Sequence, residues 1–105
     1  MRIFGPGEVK VATAFITVNP TGLDCSVELF LGPNDTVKSA SSGMIPFTST
    51  GAPQPVTLQV TMPTTGGVAY HVYLDVFVGT SLIIAYVGTE DIVIPTGSIG
   101  PIEWG

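Results

Sequence analysis

Two segments alternate between apolar and polar positions with a period of two. In residues 25–31, "CSVELFL", Cys25, Val27, Leu29 and Leu31 fall on one side and Ser26, Glu28 and Phe30 on the other. In residues 56–62, "VTLQVTM", Val56, Leu58, Val60 and Met62 alternate with Thr57, Gln59 and Thr61. That period predicts strands with one face on a core and one face toward solvent.

The longest apolar run, residues 68–87, reads "VAYHVYLDVFVGTSLIIAYV" and is long enough on paper to cross a bilayer as a helix. Its β-branched and aromatic content disfavours a helix, and Asp75 near its middle would be costly in hydrocarbon. Gly79-Thr80, with glycine first, suits a type II′ hairpin turn. The run therefore predicts two strands. In the first, Tyr70, Val72, Leu74, Val76 and Val78 oppose His71, Tyr73, Asp75 and Phe77. In the second, residues 81–87, Leu82, Ile84 and Tyr86 oppose Ile83, Ala85 and Val87.

Residues 8–18 predict another strand, with Val9, Val11 and Phe15 on one parity and Ala12, Ala14, Ile16 and Val18 on the other. Both faces of this strand and of 81–87 are apolar. Strands of a lone two-layer domain keep one wet face, so something is expected to cover these two from outside.

Breakers separate the runs: Gly5-Pro6-Gly7, Asn19-Pro20-Thr21-Gly22, Gly32-Pro33-Asn34-Asp35, Gly51-Ala52-Pro53, residues 63–67, Gly79-Thr80 and residues 95–97. Short strands between such turns predict an all-β domain of about seven strands, an antiparallel sandwich or barrel, and the sandwich is the architecture carried forward. A chain of 105 residues makes one domain: an N-terminal arm over 1–7, the sandwich over 8–95, and a C-terminal arm over 96–105.

The segments "ITVNPTGLDCSVELFLG" and "PVTLQVTMPTTGGVAYHVYLDVFVGTSLIIAYV" carry a strand, an Asn-Pro-Thr-Gly turn, an alternating strand, a Gly-rich corner and a long hairpin. This order resembles the immunoglobulin-like domains of bacterial and archaeal surface proteins of the CARDB, or cell-adhesion-related, type. The resemblance covers about four fifths of the chain and implies an immunoglobulin-like β-sandwich. It implies no catalytic residue or cofactor.

Charge narrows the function. Only 10% of residues are charged, against about 25% in an ordinary domain, and the net charge is −5. Arg2, Lys10 and Lys38 are the only basic side chains, too few to neutralise a run of phosphates. Nucleic-acid binding and attraction to an anionic bilayer are therefore excluded as expectations, and the strand reading of residues 68–87 excludes membrane insertion in the same way. Cys25, the only cysteine, predicts a buried apolar residue rather than a disulfide or thiolate site. The opening "MRIFGPGEVK" lacks the apolar core of a secretory signal, so none is expected.

Candidate chemistry is sparse. His71 and Asp75 share a parity but stand about 13 Å apart along a strand, too far to pair. No nucleophile-elbow sequence accompanies them, and an enzyme is not expected. Asp24, Glu28, Asp35, Glu90 and Asp91 are the candidate oxygen ligands, without the spacing of a calcium loop. No metal or cofactor is expected. Asn34-Asp35-Thr36 matches the glycosylation tripeptide. Tyr73, Phe77, Phe30 and Trp104 supply aromatic rings for a glycan platform, with few polar partners beside them.

The surplus of apolar surface points instead to association. Tyr73 and Phe77, joined by Phe30, are expected on an exposed outer face, and the Gly- and Pro-rich arms carry Ile3, Phe4, Ile99, Ile102 and Trp104. These eight residues are the predicted assembly interface. The sequence reading is a structural subunit that binds copies of itself and other structural proteins. A virion component (capsid, decoration or tail protein) comes first, acting in a virion or other extracellular assembly. A secreted module for adhesion or glycan binding comes second.

Overall fold

Nine strands lie between the breakers in a computed structural model that describes residues 1–105, and no residue is helical. They are β1 (Arg2–Ile3), β2 (Val9–Ile16), β3 (Asp24–Gly32), β4 (Ala40–Ser41), β5 (Ile45–Thr48), β6 (Gln54–Thr61), β7 (Val68–Val78), β8 (Ser81–Val87) and β9 (Ile92–Ile94). The fold is all-β. The count exceeds the expected seven because β1 and β4 are two-residue ladders that carry no periodic signal.

The larger sheet is built around β7. On one side β3 runs antiparallel to it, from Cys25 opposite Val78 to Gly32 opposite His71. On the other side β8 covers the upper half of β7 and β9 the lower half. Beyond β3 lie β5 and β4, and beyond β9 lies β1. The β1–β9 pair is parallel, so the sheet is mixed where an antiparallel one was expected. The second sheet contains only β2 and β6, antiparallel from Val9 opposite Thr61 to Ile16 opposite Gln54.

Alternation places the core between the two sheets. Val56 and Leu58 from β6 and Ile16 from β2 meet Cys25, Val27 and Val76 from the larger sheet. A second cluster joins Leu31, Val60, Met62, Tyr70, Ile92 and Ile94. Each buried aliphatic side chain contributes roughly 1.5–3 kcal/mol relative to exposure. The core needs no disulfide, and Cys25 is buried in it. Its polar content is tied down: the buried Ser49 hydroxyl donates to the Pro20 carbonyl at 2.6 Å and accepts the Leu23 amide at 2.8 Å. The Tyr70 hydroxyl donates to the Thr65 carbonyl at 2.8 Å.

The 68–87 run is the expected hairpin. Gly79 has φ +58° while no non-glycine residue has positive φ, the combination a type II′ turn with glycine first requires. One expectation fails along β8. The register with β7 shifts between Val76 and Phe77, leaving Ile83 as an extra residue. A bulge of that kind inverts the parity beyond it. Leu82 therefore lies opposite Phe77 on the outer face, away from Ile84 and Tyr86, which stand opposite Val76 and Leu74 on the core side.

The N-terminal segment is committed at home. Arg2 and Ile3 pair with Ile92 and Val93, and the Phe4 amide donates to the Val93 carbonyl at 3.2 Å. Phe4 then packs half-buried on the second core cluster.

Candidate assembly interface

Two strands cannot roof a sheet as wide as the one beneath them. β2 pairs with β6 alone, and β8 pairs with β7 alone, so each keeps an unpaired edge. Between these edges lies an apolar groove. Its floor is Leu29, Val72, Leu74 and Val76; Ala12, Ala14 and Ile16 wall one side, and Ile84 and Tyr86 the other. The cavity measures about 450 Å³, and a neighbouring one of about 560 Å³ continues it toward Phe4, Lys10 and Arg2. Ile84 and Tyr86 belong by parity to the core side, yet every residue of β8 is exposed, Tyr86 at 52%. The outward face of β2 adds Val9, Val11 and Phe15, all exposed.

The C-terminal segment is the second exposed apolar feature. Every side chain from 95 to 105 is exposed, with Ile99 at 91% and Trp104 at 93%. Beyond Ile94 its backbone makes no hydrogen bond within the chain. The molecule spans 72 × 23 × 20 Å with a radius of gyration of 17.3 Å, whereas a compact chain of this length has about 13 Å. An eleven-residue strand such as β7 measures about 36 Å, half of the long dimension.

The outer face of the larger sheet is not the apolar patch the alternation predicted. Phe30 does point outward, but it is 1% exposed. Its ring stacks on Tyr73 with centroids 5.0 Å apart, and the Lys38 ammonium crosses it at 4.9 Å. The turn at Gly32 makes this cover possible. A Cβ there would stand 1.8 Å from the Val37 carbonyl oxygen, so only glycine lets the loop 33–39 fold back over the sheet. Tyr73 and Phe77 are half-buried. Of the eight residues expected at an interface, Ile3, Ile99, Ile102 and Trp104 are exposed, Phe4 serves the chain's own core, and Phe30 offers no surface.

Charge occupies the middle of that face. Glu28 and Asp75 lie directly opposite each other on β3 and β7. Burial alone would raise the Glu28 pKa, but hydrogen bonds from Lys38 and Ser41 and the Lys38 charge outweigh it, leaving the carboxyl below its ordinary range. Asp75 moves the other way: burial raises it, Lys38 offsets part of the rise, and repulsion from Glu28 and Asp35 adds to it. A carboxyl whose pKa is higher folded than unfolded costs stability once ionised. Asp75→Asn is accordingly expected to stabilise the chain by about 0.5–1 kcal/mol at pH 7, the scale of a cross-strand charge pair. The gain should vanish below about pH 4, where aspartate is protonated folded or unfolded. Urea melts at pH 7 and pH 3.5 check this, and an Asn variant no more stable than the parent at pH 7 refutes it.

His71 does not pair with Asp75; the segment after β8 brings Asp91 to it instead, with Oδ1 2.8 Å from Nδ1. Both side chains are exposed, and the imidazole and Tyr73 rings stand nearly perpendicular with centroids 6.3 Å apart. Glu90 is engaged by the Arg2 guanidinium at 3.0 Å. Asp24 begins β3, and Asp35 sits in the turn where the Asn34 side chain accepts hydrogen bonds from Thr36. The carboxylates are thus spread over the molecule, with no group of three metal-ligating side chains.

Sequence reasoning missed the groove residues Ala12, Ala14, Ile84 and Tyr86. Their signal was present in the double-sided apolar character of residues 8–18 and 81–87. Compared with known proteins, the chain matches no family model, no curated protein and no solved structure.

Proposed function

We propose that this chain is a non-enzymatic structural subunit, an immunoglobulin-like β-sandwich that self-associates into a larger assembly, with a virion component as the first assignment. The observation that carries this reading is the pairing of an open apolar groove with an exposed tail bearing Ile99, Ile102 and Trp104. Contiguous apolar surface of this extent on a folded domain marks an interaction site. The chain has few charges with which to keep such surface solvated. A secreted module for adhesion or glycan binding is the second reading, and the exposed rings of Tyr86 and Trp104 are the side chains it would use.

Light scattering on the full chain separates these readings. Self-association predicts a species several times heavier than 10.9 kDa. The triple variant Ile99→Ser, Ile102→Ser and Trp104→Ser is expected to run as a monomer with an unchanged circular dichroism spectrum. A parent chain that stays monomeric over a wide concentration range overturns the assembly reading and leaves the secreted module.

A further inference from the structure

Resting on the self-association reading, we infer that the groove between β2 and β8 receives the 98–104 segment of a second copy as an added strand. An extended peptide binds an open sheet edge through its backbone, while alternate side chains fill the cavities beneath. Both halves of that interaction are present in one chain.

The edge is the free side of β2, and the cavities lie over Ala12 and Ala14. Two small side chains leave room where a closed core would place larger ones. In the tail, Ile102 and Trp104 share one parity and Pro101 falls on the other. A strand directs the backbone groups of alternate residues to opposite edges. If Ile102 and Trp104 face the groove and bond to β2, Pro101 turns its missing N–H to the side without a partner. Proline is tolerated at just such an edge.

The contact centres on two apolar anchors. A buried tryptophan alone covers about 150–250 Å², and Ile102, on the same parity as Trp104, seats beside it.

The donor is a second copy because of where the tail leaves. β9 runs toward the start of β7, with Ile94 opposite Val68. The Ile84–Tyr86 wall stands opposite Leu74 and Val76, six to eight residues further up, or about 20–26 Å along the strand. To enter its own groove the chain would have to reverse at once. To enter another copy's groove it continues straight. Donation from one end into a neighbour's side is a head-to-tail contact, and repetition yields a ring or a filament.

A cysteine pair in the full chain tests this. In a Cys25→Ala background, Ala12→Cys and Ala14→Cys are each combined with Ile102→Cys and oxidised gently. Single-cysteine chains and a Thr57→Cys/Ile102→Cys chain, whose Thr57 lies on the outward parity of β6, serve as controls. A reductant-sensitive ladder of dimers, trimers and higher species from a groove pair, absent from the controls, is the expected result. A monomer closed by an internal disulfide shows that the tail seats in its own groove and overturns the inference. Heavy species by light scattering with no groove disulfide also overturn it, while leaving self-association standing on another surface. A monomer with free thiols under all conditions overturns both.

Discussion

Leu58→Ala is expected to lower stability by about 3 kcal/mol, within the range for removing a buried leucine side chain. For a domain of this size that corresponds to a fall in melting temperature of roughly 12–24 °C. The position explains the size of the effect. Leu58 is 1% exposed, and β6 is one of only two strands in its layer, so few side chains can close over the gap. Ala12 stands opposite it across the β2–β6 pair and brings no bulk to fill the space. Leu82→Ala is the matched comparison, since it removes the same atoms from the outward face of β8. An exposed substitution of that kind changes stability by about 0.5 kcal/mol or less. Thermal melts of the two variants side by side decide the matter. Equal losses would mean that the outward face of β8 is as well packed as the core side of β6 and that Leu82 is not an exposed side chain.

That contrast between β6 and β8 also marks how far the alternation could be read. Both strands are rich in apolar residues, and their existence, their ends and the hairpin at Gly79 follow from local patterns of period two and turn chemistry. Cys25, Val27, Leu58, Val60 and Val76 lie in the core, where their parity puts them. Local pattern does not count strands per layer. Residues 8–18 and 81–87 signalled apolar surface on both faces, but β8 is open on its core side because the second sheet stops at β2.

Two other features depend on contacts remote in sequence. The bulge at Ile83 reverses Leu82 without altering the apolar run that contains it. Phe30 has the parity of an exposed residue and is buried by a loop whose path is permitted by the bare backbone of Gly32. Ile99, Ile102 and Trp104 among glycines and a proline cannot build a core of their own, and the structure leaves them uncovered.

Lys38→Ala is expected to cost about 2 kcal/mol at neutral pH, with a loss that depends on pH. Removing one partner of a fully buried ion pair costs about 3–5 kcal/mol. Here the Lys38 side chain is half-exposed, which screens the interaction and reduces the figure. Glu28 has a lowered pKa in the fold, so its contribution is fully present above its unfolded pKa of about 4.3 and is lost as pH falls through the folded value. Without Lys38, burial dominates at Glu28, and Asp75 loses the one charge that offsets its own rise. Both carboxylates then oppose folding when ionised. The deficit should be flat between about pH 6 and 9, where lysine stays protonated, and should shrink as pH falls below about 4. A smaller part is independent of pH, because the lysine stem and ammonium cover the Phe30 ring. Lys38→Met keeps the stem and removes the charge, so it isolates the titrating part. Denaturation midpoints for both variants at pH 7 and pH 3.5 distinguish the two contributions. A deficit equal at the two pH values in both variants would show that Lys38 serves only to roof Phe30 and that the Glu28 pair adds nothing to the stability of the sheet.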